Sequence, residues 1–326
     1  MIGRAPASIH FPRGGTDYAR LWGNVSPVAP IAIITVTYSP GEYLTKFLDS
    51  VPAASTAGAH VVMVDNGSTD GAPEAAIKAN EDADSPMGLE LHYSGGNIGY
   101  GSAMNLGARK LRERRESGDI NQEFLIISNP DVVFTEGSID RMLEAAERHP
   151  RAGAIGPLIR EADGSAYPSA RSVPKLGAGI GHALLGNIWP SNPWTKQYRN
   201  DDDLAREREA GWLSGSCLLL RWDAFEAVGG FDERYFMYME DVDLGDRLAR
   251  AGWLNIFTPE AEISHAKGHA AGEHPEEMLP AHHESAYRFQ ADRLPGWKYA
   301  PVRLALRVGL ALRGKLSVFL AERKRR

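Results

Sequence analysis

Ile31-Ala32-Ile33-Ile34-Thr35-Val36-Thr37-Tyr38 is apolar and β-branched almost throughout. A run of this kind reads as a strand buried in a sheet. Similar short runs follow at Val61 to Val64, Leu89 to Tyr93 and Phe124 to Ser128. Helical spacing fills the intervals: Leu44, Phe47, Leu48 and Val51 within 42–51, a segment from Ser102 to about Arg115, and Ser138 to Arg148. Strands alternating with helices predict an α/β fold, a Rossmann-like and mostly parallel doubly wound sheet with flanking helices.

After Pro157 the pattern loosens. Residues 175–194 are rich in Gly, Pro and Trp, and 200–209 read as a charged linker. One further strand is expected over 212–220, a helix from the acids at 240–243 through Arg250, and a short strand at Glu262-Ile263-Ser264. The expected organisation is an extension over 1–30, a main domain over 31–270 with its halves meeting near 135, and a helical, basic region over 271–326. No internal repeat is found.

The single cysteine, Cys217, excludes an internal disulfide framework and fits a reducing compartment. No stretch reaches the roughly 18 apolar residues of a membrane span, and the first thirty residues contain no signal-peptide core. A cytoplasmic location is expected. The net charge of −6 is unevenly spread. From Lys298 to Arg326 nine Lys and Arg stand against one acid, Glu322, so this tail carries +8 and the rest −14. An acidic body argues against nucleic-acid binding. Drawn as a helix, 301–320 puts Val302, Ala305, Leu306, Leu312, Leu316, Phe319 and Leu320 on one side and Arg303, Arg307 and Lys315 opposite, with Arg313 interrupting the apolar side. The tail suits docking at the inner face of a membrane, or a helix packed on the body with a solvated basic end. The uncharged stretch 176–189 is a second candidate lipid contact.

Asn129-Pro130-Asp131 ends the run 124–128 and places a carboxylate where ligands bind on open α/β sheets. It reads as a turn or as a divalent-metal site. Asp65, before Asn66-Gly67-Ser68-Thr69-Asp70-Gly71, ends another strand. It is either part of a polar turn or an acceptor for a nucleobase or ribose. Glu240, Asp241 and Asp243 gather at a helix start beside the apolar run 236–239. That suits helix capping, or a general base whose pKa is raised by apolar neighbours. His265 is a metal ligand or a structural histidine. The glycine turn 95–101 has Met104 where a dinucleotide fingerprint needs its third glycine, and no P-loop lysine motif exists. His269, His274, His282 and His283 match no zinc spacing. An Asp-plus-His site suits Mg²⁺ or Mn²⁺.

Taken together, Thr35-Val36-Thr37-Tyr38, Val64 to Gly71, Gly96-Asn97-Ile98-Gly99-Tyr100, Asn129-Pro130-Asp131 and Met239 to Leu244 resemble the inverting glycosyltransferases of GT-A fold, family 2, in that family's order. The Asn-Pro-Asp form is similar to the rhamnosyltransferase branch, as are 212–217 and 229–247. The resemblance implies a nucleotide-sugar site of Thr35, Thr37, Tyr38, Asp65, Asn97, Gly99, Asn129 and Asp131. It implies a metal, Mg²⁺ or Mn²⁺, on Asp131 and His265, with Asn129 in place of the first acid of the family's D-x-D motif. It implies Asp241 as catalytic base and Trp212, Ser214, Gly215 and Glu240 at the acceptor. The implied donor is dTDP-β-L-rhamnose and the implied acceptor a polyprenyl-diphosphate-linked N-acetylglucosamine of cell-wall biosynthesis. Transfer of galactofuranose or N-acetylglucosamine, and a non-catalytic scaffold that binds sugar nucleotides, are the alternatives. A homo-oligomer is left open.

Overall fold

The computed structural model describes residues 29–174, 203–266 and 275–325. The extension to residue 28, the stretch 176–189, the first part of the 200–209 linker, and His269 and His274 lie outside these residues, as do the side chains of 315–326. The strands are β1 Ile31–Thr37, β2 Ala59–Asp65, β3 Gly88–Tyr93, β4 Phe124–Ser128, β5 Val132–Phe134, β6 Ala152–Arg160, β7 Ala166–Tyr167, β8 Ala170–Arg171, β9 Arg208–Ala210, β10 Trp212–Leu213, β11 Cys217–Arg221 and β12 Leu254–His265. The helices are α1 Glu42–Ala54, α2 Ala72–Glu81, α3 Tyr100–Lys110, α4 Arg112–Ser117, α5 Ser138–Arg148, α6 Trp222–Ala227, α7 Glu240–Arg250, α8 Pro275–Asp292 and α9 Ala300–Arg325.

One sheet runs β3-β2-β1-β4-β11-β6-β12-β5, with β7 on β6 and β9 on β12. The β3-β2-β1-β4 half is wholly parallel. Beyond it β11 enters antiparallel between β4 and β6, and β6 and β12 are again parallel to each other. Both faces are covered, which is why the first strand shows no polar alternation. Ile31, Ile33, Val61 and Met63 face α1 and α5 in one core. Ala32, Ile34, Val62 and Val64 face α3 in the other, with Leu244 of α7 and Phe225 of α6 farther along the same layer.

Three residues, 129–131, join β4 to the edge strand β5, four pairing steps away. Four spacings of about 4.8 Å span ~19 Å, whereas the four chain steps from Ser128 to Val132 reach ~14 Å at most. The sheet therefore curls, bringing its far edge around to the end of β4.

The segment 212–220, expected as one strand, is two: β10 and β11 are separated by a turn at Ser214 to Ser216, because the Ser214 amide leaves the main sheet to bond the Ser169 carbonyl at 2.7 Å. The expected helix 102–115 begins earlier, at Tyr100, and is split at Leu111 into α3 and α4. The sequence pattern predicts none of β5, β6, β7, β8 and β9, and β12 extends far upstream of Glu262.

Candidate active site

The carboxyl ends of the parallel strands meet in register. Thr37 pairs with Asp65, and Asp65 with Tyr93; Thr35 pairs with Ser128. Asp65 is 2% exposed and its acceptors are filled by its own turn and by Thr37 of β1. It takes the Thr37 hydroxyl at 2.9 Å, the Gly67 amide at 3.1 Å, the Ser68 amide at 3.1 Å and the Ser68 hydroxyl. Ser39 and Gly41 fasten the turn to the end of β1, through Ser68 Oγ at 2.8 Å and Asp70 Oδ2 at 2.7 Å. Tyr38 lies half-exposed at the rim, whereas Thr35 is buried with its hydroxyl unpaired.

The glycine turn crosses beside this loop. Asn97 Oδ1 accepts from the Gly99 amide at 3.2 Å and, at 3.5 Å, from Asn66 Nδ2. Gly99 has φ +88°, and a Cβ there would stand 2.5 Å from the Phe236 carbonyl oxygen, so only glycine fits. The next amide, of Tyr100, donates to that same oxygen at 3.1 Å. The glycines thus bring backbone against backbone from opposite halves of the fold.

Asn129-Pro130-Asp131 does form a turn, closed by the Val132 amide on the Asn129 carbonyl at 3.4 Å. Its first residue is anchored to the Ser216 carbonyl at 2.9 Å. The turn also presents a site. His265, paired with Val132 across the β12–β5 ladder, sets Nε2 3.0 Å from Asp131 Oδ1 and 3.4 Å from Asn129 Nδ2. The His265 ring is 9% exposed and its Nδ1 has no partner. Two donors on one ion at about 2.1 Å and at right angles lie about 3 Å apart. Carboxylate oxygen and imidazole nitrogen at this separation fit a shared divalent ion, with further positions left for phosphate oxygens and water. Among the described residues no group of three metal-ligating side chains assembles.

At the start of α7, Asp241 is half-buried. Its Oδ2 accepts from the Gly215 amide at 3.0 Å and its Oδ1 from the Val242 amide at 2.8 Å. A Cβ on Gly215 would come within 3.2 Å of Asp241 Cβ. The Gly215 carbonyl, in turn, accepts the Tyr100 hydroxyl at 2.6 Å. Loss of solvent pushes the Asp241 carboxyl up, against the amides of Gly215 and Val242 and the charge of Arg171, which pull it down. Glu240, with Oε2 buried and unpaired, is pushed up to about 8 by burial and then by Asp241. The Tyr100 phenol is raised well above its ordinary range by burial and these acids. Asp243 is bound instead to Arg247 at 2.6 Å, a structural pair.

Ser214 meets Ser216 at 3.1 Å, and the Trp212 indole N–H donates to the Ser172 carbonyl at 3.1 Å. Trp212 sits so close to Gly245 that a Cβ there would come 2.8 Å from its own. Tyr100 and Arg171 were not singled out from the sequence. Tyr100 stood inside a noted motif, whereas Arg171 lies where no pattern marks it. Cys217 is buried, its thiol pushed up to about 12.

The model of glycosyl transferase family 2 matches residues 32–229. The chain belongs to this family. Within glycosyl transferase family 2 it is 51% identical, over 91% of its length and 95% of the relative's, to the N-acetylglucosaminyl-diphospho-decaprenol L-rhamnosyltransferase of Mycobacterium tuberculosis. It is 24% identical to rhamnosyltransferase WbbL of Escherichia coli, over 80% of this chain and 92% of that one. The mannosyltransferase PcManGT of Pyrobaculum calidifontis, solved in complex with GDP-Man and Mn²⁺, shares the fold at TM-score 0.54 and 17% identity, covering 91% of this chain and 76% of that one. The family's fold is the one expected, and the chain is a glycosyl-transferring enzyme.

Proposed function

We propose that the enzyme transfers L-rhamnose, with inversion, from dTDP-β-L-rhamnose to a hydroxyl of a polyprenyl-diphosphate-linked N-acetylglucosamine. The observation that carries this reading is a half-buried carboxylate, Asp241, held by the Val242 amide and by the amide of Gly215, whose neighbour Ser216 anchors the Asn129–Asp131 turn through its carbonyl. The 51% identity to a rhamnosyltransferase acting on such a lipid supports the choice of sugars.

Thr35, Thr37, Tyr38, Asn97, Gly99 and Asn129 form the donor side, on loops that Asp65 shapes, and Trp212, Ser214, Gly215 and Glu240 the acceptor side. The acceptor oxygen attacks the anomeric carbon while its proton passes to Asp241, and the sugar–phosphate bond breaks with its electron pair leaving on dTDP. One displacement needs one base, without the second carboxylate of a retaining hydrolase. The amides of Gly215 and Val242 hold Asp241 in one orientation. A divalent ion, Mg²⁺ or Mn²⁺, on Asp131 and His265 would neutralise charge on the departing diphosphate.

Residues 31–270 are read as the catalytic unit and the α8–α9 hairpin as its contact with the lipid surface at the cytoplasmic face. Among the described residues no helix is long and apolar enough to cross a membrane. Leu304, Val308 and Leu312, four apart along α9, are nevertheless exposed, with Trp297 88% exposed before them. An apolar stripe beside a +8 tail suits an anionic bilayer.

Purified enzyme is to be offered dTDP-rhamnose and UDP-sugars with a prenyl-diphosphate N-acetylglucosamine acceptor. Turnover of dTDP-rhamnose is expected; turnover of a UDP-sugar alone overturns the rhamnosyl reading. Co-sedimentation with vesicles containing anionic phospholipid is expected to drop on Leu304→Glu with Leu312→Glu, and unchanged binding would remove the hairpin's assigned role.

A further inference from the structure

The helix that carries Asp241 is entered through backbone its own residues disfavour. Tyr238 and Met239 take φ of +67° and +66° immediately before Glu240. Bulky residues hold such left-handed conformations only where the surroundings over-determine them. On one side those surroundings are the glycine turn, where Gly99 and Tyr100 meet the Phe236 carbonyl.

On the other side they are α8, from the C-terminal region. Ser285, 3% exposed, donates its hydroxyl to the Met237 carbonyl at 2.8 Å. The His282 ring stands edge-on to Tyr238, centroids 5.3 Å apart at 70°. Phe289 is fully buried in a cluster with Tyr235 and Val242, residues that flank the strained pair. Two ion pairs at the C-terminal end of the same helix fasten it on either side of the loop: Arg234 with Asp292, its last residue, at 2.7 Å, and Asp246 with Arg293, the residue after it, at 2.6 Å. Every one of these contacts falls on the approach to Asp241 or on its helix, and none on the donor loops.

We propose that α8 braces the loop that carries the base, with Ser285 and His282 as positioning residues that hold Tyr238 and Met239 left-handed. The inference rests on the reading of Asp241 as base. The brace keeps Asp241 against the Gly215 amide, so the C-terminal region contributes to the rate as well as to location. Releasing it lets the loop relax toward ordinary backbone and swings the carboxylate away from the acceptor, while the donor site is left intact.

The test uses the full-length enzyme with Ser285→Ala, His282→Ala and, in parallel, Asp241→Asn. Measured are kcat, KM for each substrate, dTDP affinity by calorimetry and the melting temperature. Ser285→Ala is expected to lower kcat about tenfold and His282→Ala about threefold, with donor KM and dTDP affinity unchanged. A wild-type kcat in Ser285→Ala, or a loss that follows dTDP affinity and the folded fraction, overturns the brace. If Asp241→Asn is inactive while Ser285→Ala is fully active, the brace alone fails. If Asp241→Asn turns over normally, the base assignment fails and the brace with it.

Discussion

Asp65 and Asp241, assigned to the donor and acceptor sides of the proposed site, live in opposite circumstances. Asp65 closes a strand, is almost wholly buried, and has its oxygens taken by the Thr37 and Ser68 hydroxyls and the Gly67 and Ser68 amides. Asp241 opens a helix, keeps two amide partners, and lies beside Glu240, whose own oxygen is buried without a partner. Four donors on a carboxylate spend its capacity on shaping a loop. Two donors and a neighbouring acid leave capacity for a substrate proton. Acids of one site can thus be sorted by how far the protein itself satisfies them.

That contrast breaks most severely at Asp241. Asp241→Asn is expected to lower kcat by about 10²–10⁴-fold with dTDP affinity retained; steady-state kinetics near wild-type rates would refute the assignment. Next, Asp131→Ala, or chelation of the wild type, is expected to cost about a hundredfold in rate. Added Mg²⁺ or Mn²⁺ should restore the chelated wild type and leave the variant slow.

At Asp65 the expected effect moves from rate to folding. Asp65→Asn keeps the shape but turns an acceptor toward donors, and should cost about 2 kcal/mol in denaturant unfolding. An unchanged unfolding midpoint would mean the turn holds itself without the carboxylate. At Glu240 the expected effect appears only as pH changes. Burial, and then the neighbouring Asp241, push its carboxyl up to about 8 in the fold, from the ordinary 4.5. The folded state therefore holds the proton more tightly, and the stability this gives is complete below pH 4.5 and lost as pH rises through 8. Glu240→Gln should raise the melting temperature at pH 8 and leave it unchanged at pH 4; an equal gain at both would mean that charge is not the cause.

Much of the donor half was legible because its signals are local. Ile31 to Thr37 declares a strand by its own composition, and the polar turn after Asp65 follows from Asn, Gly and Ser. The acceptor half was less so. Strand β6, Ala152–Arg160, contains two glycines' worth of neighbours' packing rather than a strand-like run of its own: Gly153 lies against Trp253 and Gly156 against Leu213. Similarly, the split of 212–220 depends on Ser169, forty-odd residues upstream, capturing the Ser214 amide.

Asn129-Pro130-Asp131 holds both kinds of information. The sequence by itself determined a turn at a strand end, since proline fixes φ and Asn and Asp favour turns, and it determined that a carboxylate would stand there. Only the tertiary structure decided what that carboxylate meets. The curl of the sheet carries β12 and β5 around to the end of β4, setting His265 3.0 Å from Asp131 across 134 positions of chain. The same closure sets Tyr100, Gly215 and Asp241 in one chain of hydrogen bonds. Turn chemistry acts over neighbouring residues, whereas a site for two substrates needs partners that only the packing of distant strands brings within bonding distance.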